Sequence, residues 1–341
     1  MSEPLTADRA LARAGEAGIH TLRIPTPFAV GRVNTYLIED DPVTLVDSGP
    51  NSGRALDELQ HQLAERGHSI DDIELIVLTH QHMDHLGLVE IIAGHSGAEV
   101  AALDKVAHFV EHFGEDSKRD DEFASGVMLR NGIPEEVVQA LRTVSSAFRA
   151  WGAKAKVTRP LQEGESLEFR DRELRVLHRP GHSPSDTIFW DEERRILIAA
   201  DHLIKHISSN PLIARPLDPN AEADPVHRPQ ALVTYLESLR KTRELPAEIV
   251  LSGHGEPITD HVALIDERFE FHRKRADRIY DLIAERPRTG YDLAQALFGD
   301  IAVTQAYLTL SEVLGHVDLL LNDGRVRELE RERVACFEAV G

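Results

Sequence analysis

The chain is poor in cysteine and in positive charge, and it has no long apolar run. Its single cysteine, Cys336, excludes an intrachain disulfide and lies far in sequence from the histidine cluster described below. An ordinary buried small hydrophobe is the reading that fits it. No stretch approaches ~18 consecutive apolar residues, so no transmembrane span is expected. The opening "MSEPLTADRALARAGEAG" alternates charge and alanine without the apolar core of a signal peptide, and a cytoplasmic protein is the expectation. With 38 Lys+Arg against 58 Asp+Glu the formal net charge is −20. Such a field repels phosphate backbones and speaks against a general nucleic-acid binder.

What the chain does have is concentrated in "IELIVLTHQHMDHLGLVEIIAG", Ile73 to Gly94. The apolar run Ile73–Leu78 reads as a buried strand. Leu86, Val89 and Ile92 follow at helical spacing, and Gly94 closes the turn. Between them stand His80, His82, Asp84 and His85. In extended chain alternate residues point the same way, so His80, His82 and Asp84 can face one point. The turn into the helix lets His85 join Asp84 from the other side. Neutral imidazoles and carboxylates are the donor set of divalent metals, and a soluble loop has little other reason to crowd four of them together.

A length of 341 residues suggests two domains, or one with a large appendage. Residues 19 to 47 read as a β-meander ending at Asp47, where an Asp opens a turn. "ALDELQHQLAERG" carries Leu56, Leu59 and Leu63 at helical spacing, and "AEVAALD" reads as a strand. An insertion from about residue 105 to 155 is helical by pattern and is expected to cover the mouth of the site. His108 and His112 share a helix face there, where an amphipathic surface helix fits better than a metal pair. Further on, "PGH" (Pro180–His182), "IAAD" (ending at Asp201) and "SGHG" (containing His254) each close a predicted strand. Side chains at strand ends are held rigidly with one side open, so the shared placement suggests a single site.

HQHMDH matches the HxHxDH signature of the metallo-β-lactamase superfamily of metallohydrolases. His182, Asp201 and His254 match its remaining ligand positions in the right order, so the resemblance covers about residues 19–260. It implies an α+β fold, an αββα sandwich. It also implies two divalent ions: His80, His82 and His182 on one, Asp84, His85 and His254 on the other, Asp201 bridging. Asp47 would support the metal-site loops through hydrogen bonds. The N/O set fits Zn²⁺ best, with Fe and Mn also compatible. A metal-bridging hydroxide would attack the carbonyl or phosphoryl centre, with Asp84 orienting it and taking part in catalytic proton transfer. One departure is Ala199-Ala200-Asp201, where many relatives have Thr-Gly-Asp. Asp186 is another, standing where many carry a small residue or His.

The bridging Asp201 separates the chain from typical zinc β-lactamases and resembles the glyoxalase-II-like branch, including relatives of lactamase-β-like protein 2. The expected substrate is therefore a small-molecule thioester, ester or lactone, with His206 a candidate substrate contact. From His261 the composition turns helical and ends in a hairpin pattern, similar to the winged-helix-like domain of many such hydrolases. The expected domains are thus 1–260, catalytic, and 261–341, winged-helix-like. From His261 onward 11 Lys/Arg stand against 15 Asp/Glu, a balance of −4. That favours packing on the catalytic domain, a cleft wall or homodimerisation over DNA binding. The alternatives carried forward are a metal-dependent endoribonuclease or phosphodiesterase, then a β-lactamase or a DNA-binding regulator. No membrane association is expected.

Overall fold

The computed structural model describes residues 5–340, so the first four residues of the N-terminal stretch read above, and Gly341, lie outside the described residues. One sheet has six strands in sequence order: β1 (Ile19–Ile24), β2 (Val33–Ile38), β3 (Thr44–Val46), β4 (Leu75–Val77), β5 (Glu99–Leu103) and β6 (Arg159–Leu161). The second contains β7 (Ser166–Glu168), β8 (Glu173–His178), β9 (Thr187–Asp191), β10 (Ile196–Ala200) and β11 (Ile249–Ser252), in the order β11-β10-β9-β8-β7.

Both faces of the first sheet are apolar, with the period of two that a pleated strand imposes. Leu37, Leu45, Ile76 and Val100 pack against Ala55, Leu59 and Leu63 of helix Gly53–Ala64 and against Val89 and Ile92 of helix Val89–Ser96. Tyr36, Ile38, Val46, Val77 and Ala101 turn the other way, onto Leu167, Val176, Phe189, Ile198 and Leu251 of the second sheet. The outer face of that sheet, with Ile188, Trp190 and Leu197, is covered by Leu232, Tyr235 and Leu239 of helix Ala231–Arg243. The result is the expected mixed α+β sandwich, helices outside two facing sheets. Helices Ala231–Arg243 and Ala7–Glu16 fall in stretches without a sequence expectation above. The second buries only Ala10 and Ala14, too slight an apolar stripe to stand out.

Strand direction is what gathers the site. β3, β4 and β5 are mutually parallel. In the second sheet β10 and β11 are parallel, and β9 runs antiparallel to both β8 and β10, so β8, β10 and β11 share a direction. The segments after β3, β4, β8, β10 and β11 therefore leave the ends of co-directional strands, the usual location of ligand sites in such sheets.

Helices Asp104–Glu111, Phe113–Arg130 and Glu135–Phe148 occupy the insertion. From His261 the chain forms the 25-residue helix His261–Glu285, helices Gly290–Phe298, Ile301–Thr304 and Ala306–Asn322, and a sheet of β12 (Arg288–Thr289), β13 (Val326–Arg331) and β14 (Val334–Ala339) in the order β12-β14-β13. This C-terminal part shares a core with the insertion, where Phe123 and Val127 meet Leu310, Val313 and Leu314. Arg130 reaches Glu328 at 2.6 Å and Glu330 at 3.0 Å, and Arg228 forms a two-pronged bridge to buried Asp318 at 2.7 and 2.8 Å. Cys336 is buried in β14. Among the described residues no helix is long and apolar enough to cross a membrane.

Candidate metal centre

The core of the site follows β4. Asp47, just past β3, takes the left-handed conformation (φ 59°), which Asp tolerates better than most residues. Its carboxylate then accepts from the Thr79 amide at 2.9 Å and the Thr79 hydroxyl at 2.8 Å, and lies 2.7 Å from His85 Nδ1. One side chain thus pins both ends of the turn that carries the cluster. His82 stands in extended conformation immediately before the one-turn helix Met83–Leu86, which sets Asp84 and His85.

Proton accounting assigns the imidazole tautomers. The single proton of the Thr79 hydroxyl goes to Asp47, so His80 Nδ1, 3.0 Å from Thr79 Oγ1, is the donor of that pair. Its Nε2 is left bare, 3.0 Å from His82 Nδ1, which also lies 3.0 Å from His182 Nε2. His85 donates from Nδ1 to Asp47, leaving Nε2 buried without a partner. His254 donates from Nδ1 to the Arg32 carbonyl at 2.9 Å, and its Nε2 faces Asp84 at 3.4 Å and Asp201 at 3.5 Å. Ring nitrogens turned inward, with the other nitrogen of His80, His85 and His254 held by a bond, are what a metal-binding imidazole requires once a cation displaces any proton there.

Electrostatics points the same way. Burial, then the neighbouring imidazoles, pushes His80 well below the ordinary histidine range and His82 down to about 3, so both are neutral. Burial opposes the charge on His85 and His254 as well, yet Asp201, with Asp47 and Asp84, lifts His85 well above the usual range. Asp201 and Asp84 bring His254 to about 10. Three buried carboxylates, Asp47, Asp84 and Asp201, pull protons onto their neighbours, which is the behaviour of a cavity short of positive charge. The donor atoms fall into three groups, each within 4.8 Å: His80, His82 and His182; His80, His85 and Asp201; Asp84, His85 and His254. Asp201 stands between them, 3.5 Å from each of His85, His182 and His254. The residues present therefore fit divalent cations.

Local packing explains how the second-sheet residues arrive. Gly253 lies so close to Asp201 that a Cβ there would sit 2.0 Å from Oδ1, and one on Gly181 would meet Tyr235 at 2.5 Å. The Gly-His pairs that marked both loops are close-packing requirements. Ala200 has φ 43°, a left-handed backbone at the position where the resemblance expects glycine.

A cleft of about 520 Å³ opens on the cluster. His82, Asp84, His182, Asp201 and His254 form its floor. Its walls are mainly apolar: Phe28 and Val30 from the β1–β2 loop, Phe109, Phe113 and Phe123 from the insertion, Ile204, Ile207, Leu212 and Ile213 from the segment after β10, and Tyr307 and Leu308 from the C-terminal part. The Tyr307 hydroxyl donates to the Ile213 carbonyl, and the Asn210 amide to the Leu308 carbonyl at 3.1 Å, so the far wall is fastened to the near one. Irregular chain from residue 201 to 230 is longer than connections usually are, and here it lines a site. Its scattered Ile and Leu among Pro and Asn were a readable signal. Nothing local marked Tyr307, Leu308 or Gln81, which also lines the cleft.

His206 is exposed and packs against Gly255, and it is not among the cleft-lining residues. His108 and His112 stack with ring centres 4.3 Å apart; His108 lies 3.0 Å from buried Asp116, and His112 bonds its own helix backbone. Asp186 is buried beside His182, accepting from the Ser183 amide at 2.9 Å, with its other oxygen unpartnered.

Comparison with known proteins adds an independent line. The metallo-beta-lactamase superfamily profile matches residues 29–254. The "Probable metallo-hydrolase YqjP" of Bacillus subtilis is 34% identical over 305 residues, 88% of this chain and 91% of that protein. Human "Acyl-coenzyme A thioesterase MBLAC2" is 31% identical over 131 residues, 37% of this chain and 40% of that one. The crystal structure of a metallo-beta-lactamase family protein from Thermus thermophilus superposes with a TM-score of 0.76 at 29% identity, covering 95% of this chain and 99% of that one.

Proposed function

The chain belongs to the metallo-beta-lactamase superfamily and is a metal-dependent hydrolase, and from that premise we propose that it uses a dinuclear centre to hydrolyse thioesters or esters of apolar acyl groups. The observation that carries this reading is the mainly apolar cleft whose floor is the His/Asp cluster. His80, His82 and His182 would hold one cation and Asp84, His85 and His254 the other, with Asp201 between them. Nitrogen and oxygen donors without cysteine suit Zn²⁺, and Fe or Mn next. When bound, such cations make hydroxide available at neutral pH and stabilise negative charge on a carbonyl oxygen.

The chain's own residues supply the rest. The phenylalanine and isoleucine walls desolvate an acyl group and exclude bulk water, worth about 25 cal/mol per Å² of apolar surface covered. Asp84 has a side chain partly open to the cleft and one oxygen 3.4 Å from His254. It can orient the attacking water and carry its proton toward the leaving group. Asp47 keeps His85 in one tautomer, and the Arg32 carbonyl does the same for His254. The thioesterase relative supports a thioester as the scissile group. Two arginines reach the cleft, but Arg149 is paired with Asp121 and Arg215 with Asp116 and Asp120. Little free positive charge is left for a phosphodiester backbone, so the nuclease alternative gains no support.

The test couples metal analysis with substrate screening on one preparation. About two Zn, Fe or Mn per chain and faster cleavage of medium-chain thioesters or esters than of β-lactams or phosphodiesters are expected. Asp201→Ala and His82→Ala should lose both metal and activity. Full activity in either variant, or preference for a phosphodiester, would overturn the proposal.

A further inference from the structure

We propose that Gln81 is a catalytic hydrogen-bond donor, its carboxamide nitrogen serving the oxygen of the acyl carbonyl under attack. This rests on the acyl-hydrolase reading above and adds a residue outside the cation-binding set. Gln81 sits between His80 and His82 in sequence, is buried, and lines the cleft.

Its orientation follows from counting donors and acceptors. The Ser183 hydroxyl lies 3.2 Å from Gln81 Oε1, and the Ser185 hydroxyl also donates to that oxygen. Ser183 Oγ meanwhile accepts from the Ser185 amide at 3.1 Å. Each hydroxyl has one proton to place, and a carboxamide oxygen has two lone pairs to receive them. Both serines are buried with their hydroxyl oxygens 3.2 Å apart, so in the alternative orientation, with the amide nitrogen facing them, one hydroxyl could donate to the other and the second would be left without an acceptor. The oxygen is therefore held inward. The nitrogen has no protein partner among the described residues, yet it is not one of the buried unpartnered atoms, so it opens on the cleft.

Two N–H groups are thus turned to the same cleft that His82 and His182 line. An acyl carbonyl under attack gathers negative charge on its oxygen, and a donor fixed in advance in a dry cleft stabilises that charge without reorganising. A neutral amide suits this place better than lysine or arginine would, because it donates without repelling cations held a few residues away. Ser183 and Ser185 are positioning residues, acting only through Gln81.

The experiment compares wild type with Gln81→Met, which keeps length and bulk but cannot donate. The substrates are S-octanoyl-N-acetylcysteamine and p-nitrophenyl octanoate, and metal content is measured in parallel. Removal of one such donor is expected to lower kcat about 100-fold, with KM changed less than about threefold and metal content at the wild-type value. Ser185→Ala should lose about tenfold in kcat by loosening the carboxamide, and Ser185→Thr, which restores the hydroxyl, should recover most of it. A Gln81→Met enzyme with kcat within threefold of wild type, or a loss confined to KM, overturns the assignment. So does a loss that tracks missing metal, or Ser185→Thr as impaired as Ser185→Ala. Wild-type inactivity on both substrates would overturn the acyl-hydrolase reading itself, whereas wild-type activity with an indifferent Gln81→Met would overturn only the role of Gln81.

Discussion

Replacing Gly253 by alanine adds one methyl group and should dismantle the centre. The new Cβ would lie 2.0 Å from Asp201 Oδ1 and 3.0 Å from the Ala200 carbonyl carbon. Neither strand end can yield easily. The Gly253 amide donates to the Ala200 carbonyl at 2.8 Å, and its carbonyl accepts from the Asn34 amide at 2.7 Å. Ordinary contact near 3.5 Å would require the carboxylate oxygen to retreat by about 1.5 Å. Metal–carboxylate bonds are about 2.0–2.2 Å long, so that retreat would take Asp201 out of the proposed cation-binding set. The overpacking should cost about 1–3 kcal/mol of stability. A misplacement of this size also costs about 100-fold or more in turnover. Chelator-competition titration of the apoprotein with Zn²⁺ should show affinity weakened at least about 100-fold, beside a lowered thermal midpoint. Gly94→Ala is the control. It lies in helix Val89–Ser96, where an added Cβ would meet nothing within 4 Å, and should gain about 0.5–1 kcal/mol. Two tightly held metals in Gly253→Ala would refute the assignment of Asp201 between the two groups.

Burial, despite nearby His182, raises the carboxyl of Asp186 to about 6 from an ordinary 3.8. The unfolded chain therefore releases this proton first, so apoprotein stability should fall as pH rises from about 4 to about 6 and stay lower above. Asp186→Asn keeps an acceptor for the Ser183 amide and should remove that decline, gaining up to about 3 kcal/mol at pH 7.5 in denaturant titration of the metal-free protein; an unchanged pH profile would count against it. Arg228→Ala strands buried Asp318 and should cost about 3–5 kcal/mol, with a raised KM for octanoyl substrates because the same helix carries Tyr307 and Leu308. Arg228→Met with Asp318→Leu should restore most of the stability, and a loss under about 1 kcal/mol in the single variant would refute the linkage.

How much of the site could be read in advance follows from the range of the interactions that make it. His80, His82, Asp84 and His85 lie within one turn of chain, so their convergence is nearly a property of local backbone and needed only the strand-to-helix pattern around them. His182, Asp201 and His254 are distant in sequence, yet they follow β8, β10 and β11, which share one direction in the second sheet, and the glycine beside two of them reports a backbone pressed against another segment. Asp47 was readable for the same reason. The cleft wall obeys no such rule. Phe28, Phe113, Ile213 and Tyr307 come from four separate segments, and Ile213 and Tyr307 reach the cleft through the core that the insertion shares with the C-terminal part. No local period encodes that shared core. Ala200 shows the limit at a single residue: it holds φ 43° where glycine would be relaxed. A left-handed alanine costs about 1–2 kcal/mol, so the bonds between β10 and β11 and the placement of Asp201 outweigh local preference. Gln81 lies at the other extreme, within the most readable stretch of the chain. Its role still depends on two serines about 100 residues away, which turn its oxygen inward and leave its nitrogen to the substrate.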